Sequence, residues 1–190
     1  DHINGLQECL ESGYEIEHLV FAKAQKEGVE DGDAMEKLIQ TAKKQGSQIL
    51  YMEVGDRLIS GDLRLQCVGP TQAISRDFAA DCNAMSLCLL LTCGDFQGLF
   101  TGDIAMDQEA SLVAEVQSAL GENGTLAFLK VAHHGSKYSS GEDFLDALAP
   151  KIALISCGKM GKDDIYITMD AGQIRILFDQ ESPAQVKFAK

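Results

Sequence analysis

Three short polar stretches bring together residue types that bind divalent cations: Asp1-His2 at the start of the sequence, Thr101-Gly102-Asp103, and His133-His134-Gly135-Ser136. Four histidines occur in 190 residues, and two of them stand side by side in the last stretch. Imidazole nitrogens and carboxylate oxygens together suit Zn²⁺ or Mn²⁺, and a carboxylate at a turn can bridge two ions. Each stretch alone has an ordinary reading. An Asp-His pair in a loop is solvated, Thr-Gly-Asp is a common turn before a helix that an Asp could cap, and paired histidines can simply lie at a surface. The three gain weight together, because Asp103 and the His doublet each follow an apolar run that reads as a strand.

The elements that must position these residues follow from hydrophobic periodicity, which alternates between helix and strand spacing. "DHINGLQECLESG" reads as a loop running into a short helix that stops at Gly13, and "IEHLVFAK" as a strand. "GDAMEKLIQTAKKQG" has helical spacing, with Met35, Leu38, Ile39 and Ala42 on one face and a stop at Gly46. "SQILYMEV" and "DLRLQCVG" are strands, and "MSLCLLLTCGDFQGLFTGD" is a hairpin around a Gly-Asp turn that exits at Asp103. "MDQEASLVAEVQSALG" is an amphipathic helix, "TLAFLKVA" a strand, "SSGEDFLDALAP" a helix with serine caps, "KIALISCG" a strand, and the end of the chain a set of antiparallel strands. Neither repeat nor linker interrupts this order, so residues 1–190 read as one α/β domain. Hairpins mixed with strand-helix units favour stacked sheets with helices outside over a purely parallel doubly wound sheet.

Composition sets the outer bounds. With 45% apolar and 24% charged residues the chain has enough apolar surface for one core, and it reads as soluble. A formal charge of −13 argues against a general affinity for nucleic acid or anionic membrane. Locally the balance reverses: between residues 130 and 162, Lys130, Lys137, Lys151, Lys159 and Lys162 outnumber Glu142, Asp143 and Asp146. Such a basic rim fits a phosphodiester approaching one face, and equally fits lysines that only solubilise element ends. Cys9, Cys67, Cys82, Cys88, Cys93 and Cys157 form no C-x-x-C pair, and several lie in apolar runs, so buried free thiols are expected. They lean toward a reducing compartment or an anaerobic source.

The runs "NAMSLCLLLTCGDFQGLFTGDI" and "LAFLKVAHHGSKYSSGEDFLDALAPKIALISCGK" resemble the metallo-β-lactamase-fold domain of ComEC-type DNA-uptake (competence) proteins and their stand-alone hydrolase relatives. "VGDRLISGDLRLQCVGP" is similar to a further stretch of that family, and "DHINGL" to the tail of its H-x-H-x-D-H-I-x-G-L motif. The resemblance implies a four-layer αββα sandwich, incomplete at its N-terminus, and two divalent ions, Zn²⁺ or Mn²⁺. Carried over position by position, Asp1, His2, Asp103, His133 and His134 are the implied metal ligands, with Asp103 bridging. Asp1, Asp103 and His134 are the implied catalytic groups. The sequence leaves open which of His133 and His134 is the ligand and which a neighbour or substrate partner. Asn83 and Ser86 match an N-x-x-S signature near the site, and with Ser136 and Lys137 they are the implied substrate contacts.

Two departures accompany the resemblance. The H-x-H pair expected ahead of Asp1 is not in the sequence, nor are the strands that precede it in the family. A Tyr-Gly-His-Pro-His-like stretch expected between "ISCGK" and "DIYIT" is replaced by "MGKD". Since the sequence starts with Asp rather than Met, it is expected to be part of a longer chain, either through metal-site loops left out or through truncation. Three functions follow as expectations: a ComEC-like phosphodiesterase or nuclease acting on DNA, a small-molecule phosphoester or lactone hydrolase of the same fold, and a catalytically inactive module that binds DNA or a partner. A domain of a competence channel would sit at the outer face of the membrane beside the channel portion, and a stand-alone hydrolase in the cytoplasm.

Overall fold

The computed structural model describes residues 2–23, 32–78, 81–121, 124–156, 165–167, 173–177 and 185–189. In chain order the elements are α1 (His2–Glu11), β1 (His18–Ala22), α2 (Gly32–Lys44), β2 (Gln48–Met52), β3 (Arg57–Ser60), β4 (Leu63–Gly69), α3 (Gln72–Asp77), β5 (Cys88–Cys93), β6 (Phe96–Phe100), α4 (Met106–Leu120) and β7 (Phe128–Lys130). A 3₁₀ turn over Ala132–Gly135 follows, then α5 (Glu142–Leu148), β8 (Ile152–Ile155), β9 (Ile165–Ile167), β10 (Gln173–Leu177) and β11 (Gln185–Ala189).

Seven strands, β3 to β9, pair in sequence order as one sheet. Its first half is antiparallel: tight turns at Gly61 and Gly94 return the chain directly from β3 to β4 and from β5 to β6, while the longer segment that carries α3 joins β4 to its antiparallel neighbour β5. From β6 to β9 the strands run parallel, since α4 and α5 carry the chain back to the starting edge between β6, β7 and β8. The chain is thus mixed α/β, and its main sheet is half antiparallel rather than doubly wound. Two further pairs, β1 with β2 in parallel and β10 with β11 antiparallel, stand apart from it.

The main core lies between α4 and the sheet. Leu112 and Val116, one helical turn apart, are fully buried with Val68, Leu90, Leu99, Leu126 and Leu129, and Phe144 and Leu148 of α5 close its end. A second core joins Leu10 of α1 and Leu38 and Ala42 of α2 to Leu19 and Phe21 of β1, with Met35 and Ile39 packed against it. The helical face read from Met35, Leu38, Ile39 and Ala42 is therefore the buried one.

Several local expectations are corrected. The segment 57–60 forms a strand that the pattern did not reveal, since only Leu58 and Ile59 are apolar and Ile59 is exposed at the sheet edge. Helix α3 was also hidden, because it is short; Thr71 caps it by accepting the Ile74 N–H. Gly141 rather than a serine stands at the N-cap of α5, and Ala105 rather than Asp103 at that of α4, where the Gln108 side chain accepts the Ala105 N–H.

Cys67 and Cys88 are buried, as expected, whereas Cys9 is exposed and Cys82 and Cys93 half-buried; Cys157 lies outside the described residues. Burial pushes the Cys67 thiol up to about 11, and raises Cys88 as well, so both stay protonated at neutral pH. A thiol-alkylating reagent at pH 7 is expected to modify Cys9 in the native protein and to reach Cys67 and Cys88 only after denaturation, which peptide mass mapping would read.

Candidate metal centre

Because β6, β7 and β8 are parallel neighbours, their carboxyl ends open on one edge, the place where open α/β sheets gather ligand-binding residues. The register aligns Phe100 with Lys130 and Lys130 with Leu154. The next residues of these strands are therefore Thr101-Gly102-Asp103, Val131-Ala132-His133-His134 and Ile155-Ser156. Cross-links fix the three exits to one another. The Thr101 hydroxyl donates to the Lys130 carbonyl at 2.9 Å, the Val131 N–H to Leu154 at 2.8 Å and the His133 N–H to Gly102 at 3.1 Å. The Asp103 N–H donates to Ser86 Oγ at 2.9 Å, which ties the turn to the segment before β5.

Asp103 is buried, and its two carboxylate oxygens face different cations or donors. Oδ1 lies 3.6 Å from the Lys130 ammonium and Oδ2 lies 3.5 Å from His134 Nε2. On the other side of the ring, His134 Nδ1 is 2.7 Å from the Ser156 carbonyl. A carbonyl only accepts, so Nδ1 carries a proton, and in the neutral ring Nε2 then presents its lone pair toward Asp103. Two acceptors facing each other require a proton or a cation between them. A histidine whose second nitrogen is held by a backbone carbonyl is also the usual arrangement behind a metal ligand. The donor chemistry at Asp103 and His134 thus fits a divalent cation such as Zn²⁺ or Mn²⁺.

The histidine turn is held in an unfavourable backbone conformation. His133 (φ 46°, ψ 49°) and His134 (φ 53°, ψ 26°) are both left-handed, and side-chain-bearing residues there cost about 1–2 kcal/mol each. Gly135 continues at φ 75°, and a Cβ there would press on the Ile155 side chain at 3.0 Å. The rings of the doublet splay, with centroids 6.4 Å apart and planes at 69°, so only His134 is turned to Asp103 within ion-pair distance.

What holds the strain is the segment behind it. Ser139 Oγ donates to the Ala132 carbonyl at 3.1 Å, the Ala132 N–H donates to Ser140 Oγ at 3.2 Å, and the Met106 N–H donates to the Tyr138 carbonyl at 2.9 Å. Glu109, buried on the first turn of α4, accepts the N–H groups of Ser140 and Gly141. The helix that follows Asp103 thereby clamps the loop that follows His134. Glu109→Ala is expected to lower stability by about 2–3 kcal/mol, because two amides lose a charged acceptor, and Glu109→Gln by about half as much. Urea denaturation would check both values.

The remaining expected site residues distribute as follows. Ser86 is at the site as the acceptor for the Asp103 amide. Asn83 lies three residues before it in the same turn, its carbonyl accepting the Ser86 N–H and its own N–H donating to Asp81. Ser136 Oγ accepts the Tyr138 N–H at 3.3 Å, and the exposed Lys137 lies over the Tyr138 ring at 4.8 Å. His2 opens α1, and Asp1 lies outside the described residues. Among the described residues no group of three or more His, Cys, Asp and Glu side chains is placed to share one ion. The basic rim is corrected in one respect: Lys130 points into the site beside Asp103 and is largely buried, while Lys159 and Lys162 lie outside the described residues.

Glu109 and Ser156 were missed as parts of the site, and Lys130 was read only as a member of the basic rim. Lys130 did carry a signal, since a lysine ending a buried three-residue strand needs an anionic partner. Ser156 acts through its main chain, which no side-chain pattern reveals.

No family model matches the chain. It is 33% identical over 194 residues to ComE operon protein 3 of Bacillus subtilis (strain 168), an alignment covering 99% of this chain and 23% of that protein. It is 28% identical over 147 residues to Recombination protein 2 of Haemophilus influenzae (strain ATCC 51907 / DSM 11121 / KW20 / Rd), covering 67% of this chain and 17% of that protein. The chain therefore spans less than a quarter of the length of either curated relative. Both similarities support a relationship to ComEC-type competence proteins, the group that the T-G-D and H-H-G-S stretches resemble.

Proposed function

We propose that the chain is a metallo-β-lactamase-like, metal-dependent phosphodiesterase domain of a ComEC-like protein and that it acts on DNA. The observation that carries this reading is the facing pair of His134 Nε2 and the buried Asp103 carboxylate, 3.5 Å apart at the carboxyl ends of parallel strands. Asp103 and His134 would hold a divalent ion, with Asp1 and His2 as the partners that the family resemblance implies. When bound, such an ion lowers the pKa of its water and neutralises charge that develops on a phosphoryl group. The chain's own part is positional. Ser156 fixes the His134 ring through Nδ1, Ser86 fixes the Asp103 turn, and Glu109 holds the loop that follows the histidine turn by accepting the N–H groups of Ser140 and Gly141.

DNA as substrate draws support from the name of one relative, Recombination protein 2, and from the resemblance to DNA-uptake proteins. The exposed Lys137 beside the histidine turn, with Ser136 and Asn83, would meet a phosphodiester backbone at that edge. Among the described residues no helix is long and apolar enough to cross a membrane, so attachment to a channel would rest on other parts of a longer chain.

The test is hydrolysis of single-stranded DNA, duplex DNA and bis(p-nitrophenyl) phosphate by the full chain with Mn²⁺ or Zn²⁺, beside its Asp103→Ala variant. Cleavage of DNA that vanishes in the variant supports the proposal. Turnover of the small diester alone would instead give a small-molecule phosphoesterase, and DNA binding unaffected by metal, without turnover, a binding module.

A further inference from the structure

We propose that Lys130 is a resident counter-ion that competes with divalent cations for Asp103 and so sets the metal affinity of the site. This rests on the metal-centre reading above and adds a regulator to it. The Lys130 side chain is 16% exposed and the Asp103 side chain 10%, so the pair sits where water screens charge poorly. The ammonium is fixed from two sides. Nζ donates to the Gly102 carbonyl at 3.2 Å, one residue before Asp103, and lies 3.6 Å from Asp103 Oδ1. Its own backbone cannot swing away, because the Lys130 carbonyl accepts from Thr101 Oγ1 and the residue is paired in register with Phe100 and Leu154.

Two consequences follow from one charge. Without an ion, Lys130 brings a positive charge to within 3.6 Å of a buried carboxylate, which lowers the cost of keeping that charge out of water. With an ion beside Oδ2, a fixed positive charge on the far oxygen of the same carboxylate repels the ion and withdraws part of the ligand's negative charge. Lys130 therefore orients Asp103 before loading and weakens the loaded state, a combination that keeps the ion exchangeable. It is a positioning residue and touches no reacting atom in this account.

The experiment is calorimetric titration of the metal-stripped full chain with Mn²⁺ alone, together with thermal melts in the absence of metal. Lys130→Gln is expected to bind Mn²⁺ at least about tenfold more tightly than the unaltered chain. In the same variant the metal-free melting temperature falls, because the buried Asp103 carboxylate has lost the positive charge beside Oδ1. Lys130→Arg, which keeps the charge, is expected to stay within about threefold of the unaltered affinity. Should Lys130→Gln fail to fold, Lys130→Met keeps the apolar stem and answers the same question. Mn²⁺ binding by the unaltered chain with equal or weaker binding in both neutral variants overturns the counter-ion role and leaves the metal centre standing. Absence of Mn²⁺ binding in every form overturns both.

Discussion

Asp103→Ala is expected to reduce metal-dependent phosphodiester cleavage by at least about a hundredfold, and Asp103→Asn nearly as much. The two substitutions act on the same carboxylate in different ways. Alanine removes both oxygens, and so leaves the Lys130 ammonium and the His134 lone pair facing a small void; the fold then loses about 2–3 kcal/mol with its buried charge uncompensated. Asparagine keeps the shape and one acceptor oxygen but no charge, so the anionic ligand is lost while the bond from the residue's backbone N–H to Ser86 Oγ survives. Activity that falls in both variants, with melting lowered mainly in the alanine form, separates the chemical role from the structural one. Retention of even a third of the cleavage rate by the asparagine variant would show that this carboxylate holds no ion the reaction uses.

How much of this was legible beforehand differs from element to element. The α2 face at Met35, Leu38, Ile39 and Ala42 was readable because four apolar residues at helical spacing leave one solution for burial. The hairpin at Gly94 was readable for the same kind of reason, since two apolar runs flank a Gly-Asp turn. Strand β3 was not, because an edge strand buries little and so carries no strong pattern. At the candidate site, Asp103 and the His doublet stood out by residue type and by their place after strands. Choosing His134 over His133 needed the left-handed backbone of both, which sends their rings in different directions, and no local residue preference encodes that. Glu109 was illegible for another reason: a glutamate on the first turn of a helix satisfies the helix dipole by itself, and its bonds to Ser140 and Gly141 span more than thirty positions. The seven-stranded sheet was legible as alternation of elements but not as an order, because the parallel half depends on where α4 and α5 return the chain.

Gly102→Ala is expected to cost about 2–4 kcal/mol and to displace the Asp103 turn, although it adds a single methyl group. Gly102 sits at φ +59°, and a Cβ there would come within 2.5 Å of both Cβ and Oγ of Ser86. Ser86 has no easy retreat, since its Oγ holds the Asp103 N–H at 2.9 Å and its own N–H donates to the Asn83 carbonyl at 3.0 Å. Relieving the clash therefore breaks the bond that fixes the amide of the proposed metal ligand, adding about 1 kcal/mol to the backbone cost. The origin of the effect is testable by a double-mutant cycle with Ser86→Gly, which removes the atoms in the way. Denaturant midpoints should then show the pair costing at least about 1 kcal/mol less than the sum of the single changes. Strict additivity would place the whole cost in the left-handed backbone and none in the approach of Ser86. If Mn²⁺ affinity falls in Gly102→Ala and stays low in the double variant, the Ser86 bond to the Asp103 amide, rather than the clash alone, is what aims the carboxylate at its ion.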